Sequence, residues 1–387
     1  MFRILTDKSM SNGEIFQGEI FLVDGSRIVD KSSSSTLSNF KAEVLDLRDL
    51  TVMPGFVDIH VHGAMGHDVM DATYDALARI STYKIEEGCT SFCPTTITAP
   101  VEKIISALKN IRFSMKKGVE GAKIIGAFVE GPFINPRYKG AHPEEYIRPI
   151  DIKFLKALVD SGEGCVSSIV IAPELPGAIP AIEALVKMGV QVRIGHSAAT
   201  IEEVKIALKS GADLAVHTFN AMSPLHHREP GMVGAVLTQP CLKGELVCDL
   251  IHVQADVCKL LIETKSSAGI ALVTDCIAAG GLPDGKYKLG ELTVQVEKGV
   301  PRLQDGTIAG STATMLDCVR NLHQSTGVSL EKAVEMATST PAKLVGLFDK
   351  IGSLDLGKYA DIIAMDDDYN IRFVMVDGQI KKPYALD

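Results

Sequence analysis

Eight short apolar, β-branched runs recur along the middle of this chain, most of them followed by a segment of helical periodicity. They lie at Thr51–Ile59, Cys89–Ile97, Lys123–Val129, Ser167–Ile171, Gln191–Ile194, Asp213–Val216, Glu245–Ile251 and Ile270–Thr274. A strand that is apolar at nearly every position is buried on both faces, which is the signature of a parallel sheet covered by helices. The segments Asp71–Glu87, Val101–Lys117, Leu175–Met188, Ile201–Lys209 and Gln254–Thr264 supply such helices. Eight strands in this rhythm predict an α/β chain, specifically a (β/α)8 TIM-like barrel. Gly280–Ala309 is turn-rich and strand-like, and reads as a hairpin inserted after the eighth strand.

The two ends differ from the middle and resemble each other. GEIFLVDGSRIVD, a polar Ser-rich stretch at Lys31–Asn39, and AEVLDLRDLTVMPG are followed, some 300 residues on, by GSLDLGKYADIIAMDDDYNIRFVMVDGQIKK. Alternating apolar positions and Asp-Gly turns favour β structure in both. Neither end buries much apolar area alone. They are therefore predicted to pair into a small β-sandwich domain, residues 1–53 with 347–387, leaving 54–346 as the barrel.

With 387 residues and 46% hydrophobic content, the chain has enough material for a large core. A net charge of −9 argues against nucleic acid or an anionic membrane as partner, while a local Arg/His cluster can still bind a small anion. The N-terminus lacks the apolar core of a signal peptide, and no run approaches the roughly 20 residues of a membrane span. Eight cysteines in a chain this long do not make a disulfide scaffold, and the C-x3-C at Cys89 and Cys93 has no second pair at zinc-ribbon distance. The expectation is a soluble, cytoplasmic protein.

Polar residues gather where the eight runs end: His60 and His62 at the first, Glu130 at the third, His196 at the fifth, His217 at the sixth, His252 at the seventh and Asp275 at the eighth. In a barrel these ends share the C-terminal face, where barrel enzymes carry their catalysts. His60 and His62 are two apart, so on a strand they point the same way. Taken alone, an H-x-H is more often a surface or core pair than a ligand pair. With Glu130, His196 and His217 nearby it becomes a site for a divalent metal, Zn2+ or Fe2+, as one or two ions. Asp275 reads either as a helix N-cap or turn residue or as an acid/base that moves a proton between water and a leaving amine. His226, His227 and Arg228, in SPLHHREPG, form either a solvated cluster or a phosphate clamp, with Asn220 as a further donor. His142, in a loop after the third strand, either points into the same mouth or is simply exposed. His67, His323 and Asp58 read as structural. No nucleotide phosphate loop is present.

PGFVDIHVHG (54–63), EGPF (130–133), GHS (195–197), HTFNAM (217–222), REPG (228–231), VTD (273–275) and the closing GSLDLGKYADIIAMD resemble the N-acetylglucosamine-6-phosphate deacetylase family of the amidohydrolase superfamily. The match runs nearly end to end. The resemblance implies hydrolytic removal of acetate from a phosphorylated amino sugar in amino-sugar catabolism and cell-wall sugar recycling. It assigns Glu130, His196 and His217 as principal metal ligands and Asp275 as acid/base, and the retained His60 and His62 allow a second ion. It assigns sugar, acetyl and phosphate contacts to Ala141, His142, Asn220, Ala221, Arg228, the stretch Ile251–His252, and Ile308, Ala309 and Gly310. Relatives often carry Gly beside the Asp in the segment before His252, where this chain has Leu250. A homodimer with phosphate contacts across the interface is also implied. An N-acetylgalactosamine-6-phosphate deacetylase, or another amidohydrolase, is the alternative. Cyclic-amide hydrolases commonly use a carboxylated Lys, and the fourth run, SSIVIAPE, ends without one. A non-catalytic scaffold on the same barrel would be expected to lose ligands that this chain keeps.

Overall fold

The computed structural model describes residues 1–32 and 41–384; most of the Ser-rich stretch Lys31–Asn39 lies outside the described residues. Eight parallel strands form the barrel: Phe56–Val61, Cys89–Thr96, Ala127–Val129, Val166–Ile171, Gln191–Ile194, Leu214–Ala215, Lys243–Leu246 and Ile270–Leu272. Each pairs in parallel with the next. Past the eighth strand, Asp275 N–H donates to His60 O at 3.0 Å and His62 N–H to Cys276 O at 2.8 Å. Those two bonds join the last strand's exit to the first strand, so the ring closes at the residues that carry the polar groups.

Three runs differ in detail from the pattern. The first is two strands, because Thr51–Pro54 belongs to another sheet and only Phe56–Val61 enters the barrel. Gly55 sits at the break, where an added Cβ would lie 2.1 Å from the Thr90 side chain. The third is also split, into Lys123–Ile124 and Ala127–Val129, and the seventh strand begins at Lys243 and stops at Leu246. An apolar run marks burial, and buried chain continues past the last ladder bond.

The helices Val101–Lys117 and Ile201–Lys209 coincide with their sequence segments, the second opened by a Thr200/Glu203 capping box. Tyr74–Glu86, Ala178–Lys187 and Ala255–Lys265 fall on the other three segments, and further helices lie outside them. Ile152–Ser161 is signalled only by its Asp151 cap, and Met315–Thr326 by a Thr314/Asp317 capping box. Gly231–Thr238 is apolar almost all round and buried, so it has no periodic face to read. Gly280–Ala309 is more than a hairpin: Gly285–Leu289, Leu292–Glu297 and Val300–Arg302 form a three-stranded antiparallel sheet.

The ends pair as expected. Thr51–Pro54 runs antiparallel to Ile362–Met365 and parallel to Lys8–Ser11 inside a six-stranded sheet. A four-stranded sheet from the N-terminal segment packs with it over Phe21, Val52, Ile362 and Phe373, which are almost fully buried. Among the described residues no helix is long and apolar enough to cross a membrane.

Candidate metal centre and active-site cleft

Six residues from five strand ends meet at one point of the barrel mouth. Glu130 Oε1 lies 3.2 Å from His196 Nε2 and 3.1 Å from His217 Nε2, and those two nitrogens are 3.0 Å apart. Glu130 Oε2 lies 3.1 Å from His62 Nε2. His60 Nε2 is 3.3 Å from His62 Nε2, and Asp275 Oδ1 is 3.5 Å and 3.3 Å from the two. All six are more than nine-tenths buried.

The other ring nitrogens show which atoms carry protons. His196 Nδ1 faces the Tyr138 carbonyl at 2.9 Å, and His217 Nδ1 the Asn220 carbonyl at 3.2 Å. A carbonyl only accepts, so each Nδ1 holds the hydrogen and each Nε2 offers a lone pair. His60 Nδ1 faces the Glu245 carboxylate at 2.9 Å and reads the same way. Nε2 lone pairs therefore converge with carboxylate oxygens, and a cation is what such a group is built to hold. Imidazole and carboxylate donors suit Zn2+ or Fe2+. Glu130 Oε1 serves His196 and His217 and reaches His60 Nε2 at 3.5 Å, while Oε2 serves His62, so this carboxylate joins two groups of donors, Glu130–His196–His217 and His60–His62–Asp275.

The electrostatics agree. Burial pulls the His60 imidazole down, yet Glu130, Asp275 and Glu245 together hold it well above its ordinary value. His62, under the same opposition, stands at about 9. Burial pushes Asp275 up, and His60 and His62 bring it to about 2, so it is ionised at neutral pH. Burial also raises Glu130, but the imidazoles, His60 foremost, hold it well below the carboxylate range.

His142 is different in kind. Its Nδ1 accepts the Thr98 N–H at 3.3 Å and faces Thr98 Oγ1 at 2.7 Å, so its hydrogen sits on Nε2, 3.4 Å from Glu130 Oε2. Burial and the neighbouring His196 hold it at about 4, leaving it neutral at pH 7. It is a neutral N–H donor at the edge of the nest. Gly131 makes room for this arrangement, because its φ is 79° and an added Cβ would lie 1.9 Å from Thr98 Oγ1.

Three of the six nest residues lie in left-handed backbone without being glycine: His196 at φ 47°, His217 at 27° and Asp275 at 50°. Such conformations cost roughly 1–3 kcal/mol each and persist where surrounding structure over-determines them. Here they aim side chains into the mouth immediately after each strand stops.

A cleft of about 370 Å³ opens above the nest. His62, Glu130, His196, His217 and Asp275 form its floor, and Ala141, His142, Asn220, Ala221 and His252 part of its wall. His252 is oriented by Asp249, whose Oδ2 is 2.7 Å from its Nδ1. Ile308 and Gly310, from the turn after the inserted sheet, complete the wall with Leu289. Other residues singled out in the sequence lie elsewhere. Arg228 and His226 border a neighbouring cleft of about 420 Å³, Ile251 is 39% exposed off the cleft, and Ala309 is buried beneath it. Arg137 and Tyr138 line both clefts, and neither was legible as a site residue because the loop carrying them has no pattern. Thr98, Glu174 and Glu245 were likewise missed. Glu174 pins Ser197 and Ala198 behind His196 through bonds of 2.7 and 2.6 Å.

Asp58, Glu87 and Cys89 also cluster, but Lys84 Nζ sits among them, 2.9 Å from Asp58 and 2.6 Å from Glu87. This is an ion-paired support, as the structural reading of Asp58 expected: its carboxylate also accepts the Thr274 hydroxyl at 2.6 Å beside Asp275. The eight cysteines form no disulfide, and Cys89 and Cys93 are buried in the second barrel strand.

The model of the Amidohydrolase family matches residues 51–381. N-acetylglucosamine-6-phosphate deacetylase of Vibrio furnissii is 41% identical over 88% of this chain and 85% of its own length. This chain belongs to the N-acetylglucosamine-6-phosphate deacetylases of the amidohydrolase family. An N-acetylgalactosamine-6-phosphate deacetylase of Escherichia coli O157:H7 is 40% identical over 84% of the chain and 86% of that protein. Among solved structures, a mutant of the Mycobacterium smegmatis N-acetyl-D-glucosamine-6-phosphate deacetylase in complex with N-acetyl-D-glucosamine-6-phosphate superimposes with a TM-score of 0.92. It is 32% identical, and the match covers 98% of both chains. Membership in this family fits a barrel whose polar groups meet at one mouth.

Proposed function

We propose that the chain hydrolyses N-acetyl-D-glucosamine 6-phosphate to D-glucosamine 6-phosphate and acetate, in the cytoplasm, within amino-sugar catabolism and cell-wall sugar recycling. One observation carries the reading: an ionised carboxylate, Asp275, and a neutral N–H donor, His142, border the same nest of lone pairs on the floor of a substrate-sized cleft. A divalent ion, Zn2+ or Fe2+, would be held by Glu130, His196 and His217, with His60 and His62 available for a second, and would supply electrophilic polarisation and acidify a water molecule. Asp275 takes the proton of the attacking water. His142 donates Nε2–H to the oxygen on which negative charge develops. As the C–N bond breaks, Asp275 passes its proton to the amine nitrogen, so that acetate and the free amine leave.

Asn220, Ala221 and His252 contact the sugar and its phosphate in this reading. Arg228 lies outside the cleft, which supports a role toward the phosphate bound by a second copy in a homodimer. The chain divides, in the same reading, into a catalytic barrel and a β-sandwich of both termini. A second reading, action on the galacto isomer, is favoured by the 40% identical relative.

Acetate release by metal-loaded protein tests this, with N-acetylglucosamine 6-phosphate, its galacto isomer and the unphosphorylated sugar side by side. Release that requires the phosphate and prefers the gluco isomer is expected. Preference for the galacto isomer would install the second reading, and no release from any of the three would overturn both.

A further inference from the structure

Beneath the metal nest lies a buried charge pair that the hydrolytic steps do not use. Glu245 and Arg193 are both fully buried, with Arg193 Nη1 2.5 Å from Glu245 Oε1. Arg193 Nη1 also donates to the Ile59 carbonyl at 3.0 Å, and its guanidinium lies over the Phe128 ring, 4.0 Å from the centroid. The other carboxylate oxygen, Oε2, faces His60 Nδ1 at 2.9 Å and accepts the His217 backbone N–H at 3.2 Å. A buried ion pair of this kind is weak evidence for stability, so a positional role is the more informative reading.

The four histidines of the nest are not anchored alike. His196 and His217 give their Nδ1–H to backbone carbonyls, which are acceptors in any state of the protein. His62 Nδ1 is buried with no partner among the described residues. His60 alone relies on a side chain. An imidazole binds an ion through Nε2 only while Nδ1 keeps the hydrogen, and the group facing Nδ1 decides that. We propose that Glu245, held in orientation by Arg193, is a positioning residue that fixes the His60 tautomer and so enables the His60–His62–Asp275 end to hold a second divalent ion. This deepens the metal reading of the site and rests on it.

Arg193 makes the proposal testable, because it demands an oxygen at the Oε1 position. In Glu245→Gln the amide oxygen turns toward Arg193, and the amide NH2 then faces His60 Nδ1. The ring must accept there, which moves its hydrogen to Nε2, where the second ion would bind. Removing the demand as well, in Glu245→Gln with Arg193→Met, frees the amide to turn its oxygen back to His60. A role in packing alone predicts the opposite ranking, with the double variant worse than the single.

The experiment is Zn2+ titration of chelator-treated protein against a chromophoric competitor, with bound ions counted by elemental mass spectrometry and folding checked by melting temperature. Wild type is expected to bind two ions per chain. Glu245→Gln is expected to lose roughly 10–100-fold on the second ion and clearly less on the first, whose ligand His217 loses only a backbone N–H contact to Oε2; the double variant is expected to regain most of that loss. The proposal is overturned by one ion in wild type, by two unweakened ions in Glu245→Gln, by equal weakening of both, or by a folded double variant no better than the single. Should the double variant not fold, Glu245→Gln alone decides. Acetate release is not the readout, so the outcome stands whether or not the proposed hydrolysis does.

Discussion

The two ends of the metal nest are built from the same residue types by opposite means. At the Glu130–His196–His217 end, both histidines follow their strands in left-handed backbone and are anchored on main-chain carbonyls. At the other end, His60 stands on the first strand and His62 just past its last residue, the Nδ1 of one held by a carboxylate and that of the other facing no partner among the described residues. The first end has its strain and its tautomers set by the backbone, so an ion meets a finished site. The second depends on ionisable side chains, so its affinity answers to charge and pH.

Asp275 belongs to the second end by position, yet the work proposed for it is proton transfer, and separating those roles gives the largest expected effect. Asp275→Asn should lower kcat by roughly 10²–10⁴-fold, as loss of a general acid/base does. The ion at the other end should remain, measured as one equivalent after dialysis. A turning-over Asp275→Asn protein would sink the assignment.

Glu130 is where the comparison breaks, since its two oxygens serve both ends. Glu130→Gln should weaken both ions, whereas His62→Ala should weaken only one. Parallel titrations check this, and a His62→Ala protein that loses both ions equally would show the ends to be one site.

Acidity sharpens the contrast further. Without an ion, the surrounding carboxylates hold His60 well above its ordinary value and His62 at about 9, which favours the protonated form of each. An ion entering there must displace protons, and affinity should rise about tenfold per pH unit for each proton released, up to pH about 9. The sign is fixed: raised imidazole values weaken binding as pH falls. Calorimetry in buffers of different ionisation enthalpy counts the protons. Release of none at pH 7 would contradict the field described here.

The smallest effect belongs to Leu250, left-handed at φ 62° like His196, His217 and Asp275 but outside the nest. Relief of roughly 1–2 kcal/mol of strain in Leu250→Gly is offset by chain entropy and lost packing of a half-buried side chain. Stability should change by less than about 1 kcal/mol on denaturant unfolding, with metal content unaltered. A larger loss would mean that Leu250 is held by packing rather than tolerated.

Much of this protein is written locally. Eight apolar runs separated by helical segments specify a barrel because only parallel strands covered by helices bury both faces, and this reading did not depend on any residue of the site. The H-x-H of His60 and His62 was readable because strand periodicity alone puts both on one side. His196, His217 and Asp275 were readable only as residues after run ends, since the left-handed turns that aim them depend on neighbouring strands. The same limit hid Glu245, Arg193 and Thr98, which look in sequence like ordinary residues within or beside apolar runs. The division of Thr51–Ile59 at Gly55 was hidden too, because both pieces are buried and only their partners differ. The sequence by itself determined which groups stand at the barrel mouth. Tertiary structure decided which nitrogen of each ring carries the proton, because that depends on acceptors brought from strands and loops far apart in the chain.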